Sequence, residues 1–194
     1  MPRRYTLTKR GEAKAATKAR IVAAAVRLYR EVGMAAATVP AIARAADVAP
    51  GTVRNHFPDP LDLATAAADA VLTGLELPDA SMFEGLTSAT ERVRRLAVEL
   101  AAFFERGTEW WEIRQRDANL AQAWSGPEAR YRERLMELVR AAVAPLDADP
   151  AVVPTVATIV EALYFTLRGS GLSSAAAVET GLDLLLPWLE DRAG

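Results

Sequence analysis

Apolar residues along this chain recur at steps of three and four, and Gly, Pro and short polar clusters separate the runs. That rhythm predicts helices throughout and no strand. The first run, Ile21, Ala25, Leu28 and Tyr29 with Val22 and Val26 alongside, begins near Thr17, and Gly33 ends it as a C-cap. From Thr38 to Phe57 the sequence T-V-P-A-I-A-R-A-A-D-V-A-P-G-T-V-R-N-H-F reads as a helix-turn-helix. Thr38 is placed to cap the first helix, Pro40 falls in the first turn where a missing N–H costs nothing, and Ile42 and Ala43 face inward. Asp47 takes the turn position that needs positive φ, which Asp tolerates better than most residues. The second helix restarts at Pro50 with Val48, Val53 and Phe57 as apolar contacts. Gly51, Thr52, Arg54, Asn55 and His56 are left as a polar face suited to a major groove.

After Phe57, Asp59 as N-cap and Pro60 at the first helical position start a linking helix that ends near Gly74. Pro78, Asp79, Ser81 and Gly85 break the period between Leu75 and Ser88. Val93, Leu96, Leu100, Phe103 and Phe104 then trace one amphipathic face, and Trp110 to Arg114 form a shorter piece. Tyr131, Leu135, Leu138, Val139 and Val143 mark a helix that follows Ser125 and is closed by Pro145. Two very apolar helices, Val152 to Arg168 and Ser174 to about Leu189, are joined by G-S-G-L-S, short enough to force an antiparallel hairpin, with Pro187 expected to kink or end the second. Val156, Ile159, Val160, Leu163 and Leu167 on one, and Val178, Leu182, Leu185, Trp188 and Leu189 on the other, ask for cover on two sides. The same hairpin of a second subunit would supply it, giving a two-fold homodimer; a central pair within a monomeric bundle is the alternative. The expected architecture is all-α with about nine helices. It comprises a flexible basic arm over residues 1–16, a three-helix head over 17–60 and a helical body over 61–194.

Charge sharpens this division. Through Pro60 there are eleven Lys and Arg against four Asp and Glu, a surplus of seven positive charges; since the whole chain carries −2, residues 61–194 carry −9. A basic head on an acidic body is the asymmetry of a chain that meets phosphates at one end, and Arg3, Arg4, Lys9 and Arg10 in the arm would serve the same purpose. The chain has no Cys and one His, so disulfides, thiolate zinc sites and His-rich metal centres are excluded, and no cofactor is expected. No run of about 18 apolar residues suggests a membrane span, and the opening P-R-R-Y-T-L-T-K-R-G-E has no signal-peptide core, so the expected location is the cytoplasm. Glu105, Glu109 and Glu112 share a helix face, but no Glu-x-x-His pair, phosphate loop or activated nucleophile accompanies them. They read as helix ion pairs with arginines such as Arg106 and Arg116, not as catalysts.

The scaffold helix, the pattern T-V-x-x-I-A-x-x-A-x-V-A-x-G-T-V-x-x-H-F and the capped linker helix resemble the tetracycline-repressor (TetR) family of transcriptional regulators over about residues 17 to 65. Beyond that the likeness rests on the number and length of helices. The resemblance implies a homodimer whose paired heads bind double-stranded operator DNA, and a body cavity whose small-molecule effector releases it. By position, Thr38, Thr52, His56 and the Gly51 amide would contact phosphates, and Pro50, Arg54 and Asn55 would face bases, with Arg44 as a further candidate. A surface imidazole for His56 and a plain salt bridge for Arg54 are the structural alternatives.

The chain departs from the family pattern at several positions. Asp47 stands where Gly is usual, Ala49 where a Ser or Thr cap is usual, and Pro60 where a phosphate-binding Lys is common. Arg54 and Asn55 replace a Tyr pair, and their guanidinium and amide can pair bidentately with guanine and adenine edges, so a different operator sequence is expected. For the effector, the body offers Phe103, Phe104, Trp110, Trp111, Trp124, Tyr131, Tyr164 and Phe165, with Arg114, Arg168 or Gln115 as polar groups. An apolar pocket of this kind suits a flat or lipophilic molecule. A regulator of the same fold controlled by a protein partner, or acting as an activator, has the same sequence features.

Overall fold

In the computed structural model, residues 3–117, 122–146 and 150–192 are described, without the side chains of residues 3–9 and 115. No strand occurs among them. The helices are α1 (Arg3–Val32), α2 (Val39–Ala45), α3 (Pro50–His56), α4 (Pro60–Gly74), α5 (Ala89–Arg106), α6 (Thr108–Arg116), α7 (Ser125–Val143), α8 (Val152–Thr158), α9 (Tyr164–Gly169) and α10 (Ser174–Glu190). A 3₁₀ turn at Ala80–Phe83 precedes α5, and a π turn at Ile159–Leu163 links α8 to α9.

Helix ends follow local chemistry. Thr38, extended at φ −82° and ψ 152°, accepts from the Ala41 amide at 3.4 Å and caps α2. Asp47 has φ 53°, and around it the Val48 amide reaches back to Ala43 O and the Asp47 amide to Arg44 O, the paired bonds of a Schellman ending. Asp59 Oδ1 accepts from the Leu61 amide at 2.8 Å at the start of α4. Ser88 and Glu91 form a reciprocal capping box on α5. Gly33, at φ 85°, closes α1, a backbone conformation that a side chain would strain.

Three elements differ from expectation. The segment expected to be a flexible arm is helical from Arg3, continuous with α1, because E-A-K-A-A-T-K-A after Gly11 is rich in Ala, Lys and Glu, good helix formers that carry the helix through the glycine. The penultimate helix carries the π turn. Pro187 lies inside α10, which continues to Glu190. So close to the helix end proline removes one ladder bond only, and the Asp191 amide still reaches Pro187 O at 3.1 Å.

The chain forms two compact units, one of residues 1–74 and 109–128, the other of residues 75–108 and 129–194. α4 lies in the same unit as α1 to α3, and so does α6 from Glu109 onward. α1 packs on α2 and α4, and its Ile21, Ala24, Ala25 and Tyr29 are buried with Ile42, Ala43, Val53, Phe57, Leu63, Ala64 and Ala67. α6 is fastened to the same unit by charge: Arg30 holds Glu109 Oε2 through Nε at 2.9 Å and Nη2 at 2.6 Å. The buried Asp117, just past α6, accepts from the Met34 amide at 2.8 Å.

In the second unit α5 packs on α10 and the π turn, with Val93, Leu96, Leu100 and Phe103 buried on its inner face. Arg92 ties the start of α5 to Leu86 O and Ala141 O. α9 and α10 form the expected hairpin, turned at Gly171 with φ 94°. By length and mean hydropathy Val152–Gly169 is just apolar enough to cross a bilayer. It carries Glu161 and Arg168 and packs on α10, as a helix of a bundle does.

Candidate nucleic-acid interface and effector site

α3 is seven residues long and has an inner and an outer side. Val53 is 1% exposed and Phe57 is buried beneath it, with Lys18 of α1 lying 5.3 Å from the Phe57 ring. On the outer side Pro50, Gly51, Arg54 and Asn55 are exposed and Thr52 and His56 half-buried. Arg54 makes no ion pair or hydrogen bond among the described residues, so the salt-bridge alternative finds no partner there. Thr38 and Arg44 are exposed on α2 and its cap, while Arg27 of α1 donates to Ala45 O at 3.1 Å. Ala49 gives α3 no side-chain cap, as its residue type dictates; Pro50 has no N–H and the Thr52 and Val53 amides donate to Ala49 O, at 2.9 and 3.4 Å, which leaves the Gly51 amide for an anion.

Chemically this is a short helix held by an apolar seat, presenting a guanidinium, an amide, a hydroxyl and an imidazole outward. Duplex DNA needs that combination: charge for phosphates and bidentate donors for base edges. Arg3, Arg4 and Lys9 have side chains outside the described residues, whereas Arg10 and Lys14 are exposed on the helical extension of α1.

Comparison with known proteins agrees with this geometry. The family profile described as bacterial regulatory proteins, tetR family, matches residues 21–67. The match covers the helix-turn-helix head of this chain. Solved structures with the same fold include the flavonoid-responsive regulator FrrA, at 22% identity over 90% of this chain and 95% of that one, with a TM-score of 0.64. The multidrug binding protein EbrR complexed with imidazole shares 20% identity over 96% of this chain and 93% of its own, TM-score 0.61. A TetR-like transcriptional regulator from Rhodococcus sp. RHA1 shares 20% identity over 91% and 97%, TM-score 0.59. No curated protein sequence matches the chain. The likeness to these structures extends along most of the chain and is one of fold.

The residues expected to line an effector pocket fall into two groups. In the first unit Trp110 and Trp124 are buried, Trp111 is half-buried, and Arg114 is ion-paired through Nε with Glu128. The indole N–H of Trp124 is buried without a hydrogen-bond partner among the described residues. In the second unit Phe103, Phe104, Tyr131 and Tyr164 are buried and joined by Phe165, with ring centroids between 4.6 and 6.4 Å apart. Arg168 is exposed and donates to Leu172 O at 2.6 Å, a bond that holds the α9–α10 turn. Gln115 has its side chain outside the described residues.

Sequence reading did not single out Glu161, which lies in the middle of the π turn and bears on Tyr131. Burial pushes the Tyr131 phenol well above the ordinary tyrosine range, and the Glu161 charge adds to the rise. An acidic residue near an aromatic run was visible in the sequence, but the π turn that orients it was not. Of the expected dimer residues, Val156, Val160, Leu182, Leu185 and Leu189 point into the unit's own core. Ile159, Leu163, Leu167, Val178 and Trp188 are half-exposed on the hairpin, beside Leu184 at 62% exposure.

Proposed function

We propose that this protein is a dimeric, ligand-responsive DNA-binding regulator, a repressor that leaves its operator when a small lipophilic or aromatic effector binds the body. The observation that carries the reading is the outer face of α3, where Arg54 and Asn55 stand exposed over the buried Val53. Phosphate contacts are assigned to Thr38, Thr52, His56, Arg44 and the Gly51 amide, and base contacts to Pro50, Arg54 and Asn55. Dimerisation is assigned to the half-exposed apolar residues of the α9–α10 hairpin, since a second copy would cover what the unit's own core leaves open. The effector site is assigned to the body aromatics. Two relatives of the same fold are named for small molecules, a flavonoid-responsive regulator and a multidrug binding protein seen with imidazole.

Selection of bound duplexes from a randomised library, followed by sedimentation with and without the enriched sequence, tests the proposal. The expected result is a near-palindromic site bound by an even number of chains and lost on adding an effector found by thermal-shift screening. A monomer with no enriched sequence would overturn it.

A further inference from the structure

Beside α3 the head holds a cavity of about 460 Å³, bounded by the end of α1 and the loop after it, by α2 and α3, and by the start of α4, all within the first unit. Its inner wall is the buried apolar seat of α3, formed by Ile42, Val53, Phe57 and Leu63. Two polar side chains interrupt this lining. Arg54 is exposed, makes no ion pair or hydrogen bond among the described residues, and is the one charged residue among those described that line the cavity. Tyr29 is 5% exposed, and its hydroxyl has no hydrogen bond among the described residues, so that burial alone acts on it. The acids nearest in sequence, Asp59 and Asp62, do not line the cavity, and Asp59 Oδ1 holds the Leu61 amide at 2.8 Å.

A cavity of this size takes a small molecule, and an apolar wall with a few polar groups decides which kind. An unpaired guanidinium beside such a wall favours a carboxylate, which it can meet with two parallel N–H bonds; a cation is repelled, and a neutral molecule gains burial alone. We propose that the head carries a ligand site of its own for a small amphipathic carboxylate, its apolar part against Ile42, Val53, Phe57 and Leu63 and its anionic group held by Arg54. The Tyr29 hydroxyl supplies a neutral donor on the same wall. The site shares no residue with the body aromatics to which the effector is assigned. Arg54 is also the proposed base contact, so a carboxylate on its guanidinium takes those donors from the major groove, and ligand and duplex exclude one another. That consequence rests on the proposed function; the binding itself does not.

Naphthoate and naphthamide match in shape and differ in charge, and both are titrated into the full chain. The methyl resonances of Val53 and Leu63, followed by NMR, read affinity and place together. The expected result is that naphthoate moves these methyls and binds at least about tenfold tighter than the amide, with Arg54→Gln bringing the two probes level. No binding of naphthoate, binding that leaves the Val53 and Leu63 methyls unmoved, equal or tighter binding of the amide, or an undiminished preference in Arg54→Gln overturns the proposal. The wild-type comparison needs no variant, so the charge test stands whatever the fate of Arg54→Gln. Competition is scored with a duplex enriched from the randomised library. Displacement by naphthoate is expected, and binding of both at once overturns the shared use of Arg54. A chain that selects a duplex but does not bind naphthoate keeps the proposed function and loses this proposal. One that binds naphthoate through Arg54 but selects no duplex does the reverse.

Discussion

Replacing Asp117 by Ala removes the fastening between the end of α6 and the loop after α1. The carboxylate is 7% exposed and accepts from the buried Met34 amide at 2.8 Å, so its loss strands a donor that water does not reach. An unsatisfied buried amide costs about 1–3 kcal/mol, and the bond lost is charge-assisted, which favours the upper half of that range. The neighbouring Arg116 at 3.6 Å adds less than about 1 kcal/mol, since its own side chain is half exposed. The expected loss is about 2–3 kcal/mol for Asp117→Ala. For Asp117→Asn, which keeps an acceptor at the same place, about 1 kcal/mol is expected. Native-state hydrogen exchange reads this locally: a loss of 2 kcal/mol speeds exchange of the Met34 amide roughly thirtyfold. Unchanged exchange in Asp117→Ala, or equal damage from Asn and Ala, would refute the reasoning.

Further expectations concern the head. Arg54→Ala should leave the thermal midpoint unmoved, because Arg54 has no partner among the described residues. It should relax preference at one operator position by about 1–3 kcal/mol, read on a randomised library. Deleting residues 1–14 should weaken binding evenly across sequences and flatten the dependence of log affinity on log salt; parallel salt slopes for both lengths would show those residues idle. Tyr29 is pushed up to about 12 by burial. With a folded value above the unfolded 10, its contribution is intact below pH 10 and lost as pH rises towards 12. Tyr29→Phe should therefore soften the alkaline loss of stability over that window, measured by urea unfolding at each pH, and an unchanged pH slope would count against it.

What was legible in the sequence was whatever local chemistry decides. Thr38, Asp47, Asp59 with Pro60, and Gly33 each mark a helix end because a cap, a positive φ or a missing N–H acts within a few residues. The outer and inner sides of α3 were legible for the same reason, since 3.6 residues per turn separates Val53 from Arg54 without help from the rest of the chain. What was not legible depends on distant partners or competing registers. Asp117 becomes a fastener only because Met34 comes to it across 83 positions. Arg114 and Arg168 were suitable pocket residues by type, but nearer acceptors claimed them. Helical propensity extended α1 over residues whose polarity suggested a loose arm. The hairpin's apolar residues were recognised as a set. Which of them turn inward was settled by packing on α5.

The π turn of Ile159–Leu163 has a consequence for how this protein can diversify. Such a turn is what one surplus residue does to an ordinary helix. A gene shortened there by a single codon would encode a regular α-helix in which Tyr164 and Phe165 keep their orientation towards α10 and α5, while the carboxylate at the widened turn is lost or swung aside. What this part of the second unit presents is thereby open to change through chain length at one point, with the packing on either side undisturbed.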